Sequence, residues 1–126
     1  MSSALNIDLW PKEKFETDTV TPVSILRRQA ALLGDKTQQL VTAEVASDAT
    51  PSGHVTHRFR LVVPSLDNYK YELFSVHHQV DELYPAYAHD GRLLRDQDEF
   101  VNWLKRVLSS ESTIKKIDSL MAQAKA

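Results

Sequence analysis

Apolar residues recur along the chain at two different spacings, and the switch between them marks its elements. Behind Thr21-Pro22, the residues Val23, Ile25, Leu26, Ala30, Leu32 and Leu33 fall mostly three and four apart, which gathers them on one side of a helix. Thr21 offers a hydroxyl to the free amides of the first turn, and Pro22 lacks only a donor that this turn leaves unused. Gly34 is read as a left-handed cap, with Asp35 and Lys36 able to carry the last turn further.

From Leu40 the spacing changes to two. Val41, Ala43 and Val45 alternate with Thr42, Glu44 and Ala46, which predicts a half-buried strand closed by the turn formers of residues 47–53, a connection long enough to leave its tip mobile. A second strand is expected over 54–63, with His57, Phe59, Leu61 and Val63 on one face and Arg58 and Arg60 on the other. In a hairpin, Glu44 then lies across from or diagonal to these arginines. A third is expected over 69–78. There Tyr69, Tyr71, Leu73 and Ser75 oppose Lys70, Glu72, Phe74 and Val76, so both faces carry large apolar groups and the pattern does not say which is inward. A fourth is expected over 83–89, with Pro85 at an edge or a bulge because it has no amide donor.

The helical spacing returns after Asp96. Asp96-Gln97-Asp98-Glu99 has the form of a capping box, and Phe100, Val101, Leu104, Val107 and Leu108 make the stripe behind it. Leu93-Leu94 is expected to pack just before this helix. Ser109 to Ser112 break the pattern, and Ile114, Ile117, Leu120 and Met121 define a last helix over 111–124. The order α-β-β-β-β-α-α predicts an α+β fold: a four-stranded antiparallel meander sheet packed by one N-terminal and two C-terminal helices in a single domain, 21–126. Ahead of it, residues 1–20 form an arm or an extra edge strand, suggested by the alternation of Leu5, Ile7 and Leu9; either arrangement buries Trp10.

Composition narrows the class. At 126 residues and 42% apolar content the chain sustains one core. It has no cysteine, which removes disulfides, thiol nucleophiles and thiolate metal sites and suits a reducing, cytoplasmic setting. No stretch approaches the roughly 18 apolar residues of a membrane span, and the N-terminus lacks the plan of an export signal. The net charge of −2 gives no pull toward nucleic acid or membrane. The charge is nonetheless uneven: residues 67–90 are acidic, and residues 105–126 are basic.

Three constellations carry possible chemistry. His54, His57, His77, His78 and His89, with Asp81, Glu82 and Asp90 nearby, are the residue types of a metal site, and strand pairing can bring His57 toward His77. No ligand spacing supports that reading, so no metal and no cofactor is expected. Glu44, Glu72, His57, Tyr71 and Tyr87 are acid–base residue types without a sign of convergence. The three glycines stand apart from one another, which excludes the glycine-rich phosphate and dinucleotide loops.

The third constellation is aromatic. Tyr69, Tyr71, Tyr84 and Tyr87, joined by Trp10, are efficient contact residues in an acidic setting. They predict a partner-binding sheet surface, met by a protein partner or a second copy of the chain to form a homo-oligomer such as a dimer, unless the arm covers it. The sequence thus reads as a noncatalytic interaction or accessory protein using an aromatic, acidic sheet surface. The alternative is a small enzyme, or a protein binding a metal or small ligand through sheet His, Tyr and Glu side chains.

Overall fold

A computed structural model describes residues 6–126. Helix α1 spans Pro22–Lys36 and starts as its sequence dictates. Thr21 Oγ1 accepts from the Ser24 amide at 3.1 Å, and Ser24 Oγ accepts from the Thr21 amide at 3.0 Å. Gly34 does not cap the helix as expected. It lies within it on the buried face with Leu26 and Ala30, and the left-handed turn falls later, on Gln38 and Gln39. Thr37 then clasps the exit: its hydroxyl donates to the Val41 carbonyl at 2.6 Å and accepts from the Val41 amide at 3.2 Å.

Five antiparallel strands follow in chain order, β1 Thr42–Ala49, β2 His54–Val63, β3 Tyr69–Gln79, β4 Ala86–Ala88 and β5 Leu93–Leu94. The expected four-stranded sheet is therefore corrected to five. Pro85 has no amide to donate, so pairing in the predicted fourth strand begins only at Ala86. The turn through Gly91, at φ +87°, brings Leu93 and Leu94 back beside Tyr87 and Ala86 as an added strand. The first hairpin is also tighter than expected. Pairing continues to Ala49, and residues 50–53 close the turn with Thr50 donating to His54 and Gly53 to Thr50.

A register shift in β3 explains why both of its faces carry apolar groups. Phe59 pairs with Phe74 but Arg60 pairs with Glu72, so Leu73 is an extra residue, a β-bulge. On one side of it Tyr69 and Tyr71 point inward; on the other, Phe74, Val76 and His78 do. The strand changes parity without changing its buried face, and Ser75 and His77 move to the outer face with Lys70 and Glu72.

Helix α2 (Gln97–Leu108) and helix α3 (Glu111–Lys125) complete the inner layer with α1. Asp96 Oδ1 accepts from the Glu99 amide at 2.9 Å, whereas Glu99 reaches back to the Arg95 amide at 3.0 Å, one residue short of the reciprocal cap. Aromatic contacts tie the sheet to α2. Phe59 stacks on Phe74 at 5.0 Å between ring centroids, Phe74 meets Trp103 edge-on at 5.2 Å, and Trp103 stacks against Phe100 at 6.2 Å. The arm is not buried. Among residues 6–20 there is no strand, Trp10 is 74% exposed, and its ring meets Phe15 edge-on at 5.9 Å. Leu5 lies outside the described residues.

Gly34 gives a direct test of this geometry. A Cβ there meets the Gln39 side-chain oxygen at 2.8 Å, the flexible end of an exposed residue that can swing away, and the helical backbone needs no positive φ. Gly34→Ala is expected to raise stability by about 0.5 to 1 kcal/mol in urea denaturation, through the entropy of the unfolded chain. A destabilised variant would show that Gln39 is fixed in place.

Candidate functional site

The outer face of the sheet is a lattice of ion pairs. Arg58 lies 3.5 Å from Asp48 and 3.6 Å from Glu72, Arg60 lies 3.9 Å from Glu72, and Lys70 lies 2.9 Å from Glu44. Glu44 is the cross-strand partner of Arg60 as expected, yet its carboxylate turns to Lys70. Exposed pairs of this kind are worth a few tenths of a kcal/mol each, so the surface is satisfied rather than strongly held.

The aromatic residues expected to form one surface are divided among several. Tyr69 and Tyr71 point to the helix side, where Lys116 Nζ sits 6.0 Å from the Tyr71 ring centroid. Tyr84 packs toward Phe100 at 6.4 Å. Tyr87 lies on the outer face, stacked on His77 at 5.3 Å and paired with the exposed Leu93. Trp10 stands apart on the arm. Burial, then the Asp96 carboxylate, pushes the Tyr84 phenol up to about 12, and its hydroxyl is buried without a hydrogen-bond partner among the described residues. Tyr84→Phe is therefore expected to leave stability unchanged or raise it by up to about 1 kcal/mol by thermal melting. A clear loss would mean that the hydroxyl has a partner in solution.

The bulge also decides the histidine geometry. Had β3 kept simple alternation with Phe74 outward, His78 would face outward and His77 would sit beside His57. Instead His57 Nε2 lies 3.0 Å from His78 Nε2, with both rings buried. Every ring nitrogen of the pair is used. Ser47 Oγ is 2.7 Å from His57 Nδ1, and His78 Nδ1 is 2.7 Å from the Gln79 carbonyl and 3.0 Å from that of Glu82. Carbonyls only accept, so His78 Nδ1 carries a proton. With both rings neutral, His57 Nε2–H donates to His78 and the Ser47 hydroxyl donates to His57. Among the described residues, no group of three or more His, Asp or Glu side chains converges to hold a metal ion. His54 and His89 are exposed, and Asp81 and Glu82 lie on the exposed turn after β3.

The dyad ties β1, β2 and β3 together on the inner face, and it makes the fold sensitive to acid. Burial, then His78 and Arg27, lower the His57 imidazole from its ordinary 6.5 to about 4. Between those values the unfolded chain takes up a proton that the folded chain refuses. Stability therefore falls as pH falls through this window, by up to about 3 kcal/mol. Urea midpoints from pH 7.5 to 4 are expected to decline more steeply for the wild type than for His57→Gln. Parallel profiles would refute this source of acid sensitivity.

A larger feature was not anticipated. Between α1 and α3, above the inner sheet face, lies an open groove of about 460 Å³. Leu32 and Leu33 form one wall, Ile114, Ile117 and Met121 the other, and Leu73 part of the floor. These residues were read as core stripes. They are instead half-buried or exposed, Ile114 at 58%, because the two helices do not close on each other. Its polar lining residues are Gln29, Lys36, Thr37, Thr113 and Asp118, of which Lys36 and Asp118 are exposed and Thr37 and Thr113 are buried.

Comparison with known protein families, curated proteins and solved structures finds no match. Function therefore rests on the geometry. No helix among the described residues is long and apolar enough to cross a membrane.

Proposed function

We propose that this protein is a noncatalytic interaction module that receives an apolar-faced segment of a protein partner, a helix by preference, in the groove between α1 and α3. The observation that supports this reading most is the groove itself, an apolar trough about 460 Å³ in volume whose walls are two helices and whose floor is sheet. A helix laid into it presents residues at i, i+3, i+4 and i+7 to the exposed Ile114 and the half-buried Leu32, Leu33 and Ile117, and their joint removal from water drives association. Lys36 and Asp118 at the margin orient the incoming segment more than they hold it.

The aromatic, acidic sheet surface drawn from the sequence contributes at the periphery. Tyr69, Tyr87 and Trp10 are exposed and available to a partner, whereas Tyr71 and Tyr84 are partly sheltered on the helix side. On the outer sheet face Glu44, Asp48 and Glu72 are already paired with Lys70, Arg58 and Arg60, which lowers what a basic partner gains there. Absence of cysteine suits such a module to a reducing cytoplasm.

One alternative has its own support. The groove volume falls in the range of roughly 300 to 1,000 Å³ typical of small-molecule sites, so an apolar small ligand is the second reading. Replacing Ile114 by photoreactive benzoylphenylalanine, and separately Arg58 on the outer face, distinguishes the possibilities in native cells. Protein adducts are expected from position 114 and not from position 58. Adducts from position 58 alone would move the docking site to the sheet. No protein adduct from 114, together with tight binding of the neutral dye Nile red that Ile117→Asp abolishes, would favour the small ligand.

A further inference from the structure

On the opposite flank of α3 lies a cavity of a different character, about 450 Å³ in volume, bounded by the β4–β5 turn, the end of α2 and the first turns of α3. Three cationic side chains line it, Arg92, Arg106 and Lys116, with His89 beside them and Asp90 as the single carboxylate. Leu73 and Thr113 lie between the two openings and line both, but the other α3 residues divide: Ile114, Ile117, Asp118 and Met121 line the groove, and Ser112 and Lys116 project about half a helical turn away.

These cations lack anionic partners. None of the three forms an ion pair among the described residues, although Arg58, Arg60 and Lys70 elsewhere all do. Lys116 Nζ rests against a neutral group, Ser112 Oγ at 2.7 Å, and near the Tyr71 ring. Asp90 does not neutralise Arg92 through its guanidinium; its carboxylate Oδ1 accepts from the Arg92 backbone amide at 3.1 Å. Ser110 and Thr113 also line the cavity, so the positive end of the α3 dipole is directed to the same space. The half-buried Tyr71 and the buried Trp103 add apolar lining.

We propose that this cavity binds a small phosphate-bearing anion. Two guanidinium forks match the oxygen geometry of a phosphate, and the lysine adds a point charge. The Ser112 hydroxyl, which accepts from Lys116, keeps its proton free and extends the set of donors, while the Tyr71 ring offers apolar contact to an organic group carried on the phosphate. The site is independent of the groove and of the partner proposed for it.

Phenyl phosphate and inorganic phosphate, titrated into the 15N-labelled full chain at constant ionic strength, test the proposal by NMR. Saturable shifts are expected for amides of residues 89–92 and 110–116. Tighter binding of phenyl phosphate identifies an organic phosphate as the ligand, and equal binding identifies the free ion; either supports the site. Arg106→Ala and Arg92→Ala are each expected to weaken binding about tenfold, the loss of one charged hydrogen bond. Lys115→Ala, which removes an equal charge from α3 outside the cavity, is expected to change it less than about twofold. Unmoved amides at millimolar probe, or equal weakening by Lys115→Ala and Arg106→Ala, would overturn the proposal. The wild-type titration decides the matter even where one arginine variant fails to fold.

Discussion

Leu73 is the residue on which the inner face depends. Its insertion between two paired stretches of β3 allows Tyr71 and Phe74, three apart in sequence, to sit on the same side of the sheet. Strict alternation would send one half of the strand to solvent: either Phe74, Val76 and His78, or Tyr69 and Tyr71. Turning both halves to the helix side commits β3 to a single face along its full length. Phe74 then stacks on Phe59 and meets Trp103 of α2, so the same inserted residue that sets the strand's parity also connects sheet to helix.

The histidine dyad is a second product of that parity. His57 and His78 lie on diagonal positions of neighbouring strands, where side chains of this length reach one another. Two imidazoles on an otherwise apolar face are tolerated because Ser47 and two backbone carbonyls satisfy their outer nitrogens. The arrangement holds three strands in register with polar contacts that admit few alternatives. Burial keeps the His57 imidazole neutral well below its ordinary range, and in that form its contacts tie the three strands.

Much of this architecture was legible in the sequence for local reasons. The capping residues Thr21, Asp96 and Ser110 fix three helix starts through bonds within one turn, and the alternation of β1 and β2 reports directly which face meets the core. The bulge was not legible, because a leucine carries no local signal for one; only the pairing of Phe59 with Phe74 and of Arg60 with Glu72 defines it. The signal in the sequence was indirect: large apolar residues on both apparent faces of one strand. The fifth strand was missed because two residues carry no measurable period, and β5 exists through its pairing with β4. The groove was missed for a different reason. Periodicity shows that Leu32, Leu33, Ile114 and Ile117 lie on apolar stripes, but whether two stripes meet is set by the placement of whole helices.

That placement accounts for both cavities through a single element. α1 is fixed to the sheet by the Thr37 clasp and by its buried Leu26 and Ala30, and α2 by Phe100, Trp103 and Leu104. α3 has no comparable anchor. Thr113 is its one buried residue, held by a bond from its hydroxyl to the Val107 carbonyl at 2.7 Å, and near its far end Ser65 Oγ donates to the Ala124 carbonyl at 3.3 Å. Ile117, Leu120 and Met121 reach the core only partly. A helix resting on so narrow a stripe cannot close against α1 on one side and the β4–β5 turn on the other, so each flank stays open. The apolar side faces the stripe of α1, and the opposite side carries Lys116 toward Arg92 and Arg106. The chemical contrast between the two openings is thus the amphipathic pattern of α3 itself, exposed on both sides because the helix is too lightly buried to hide either.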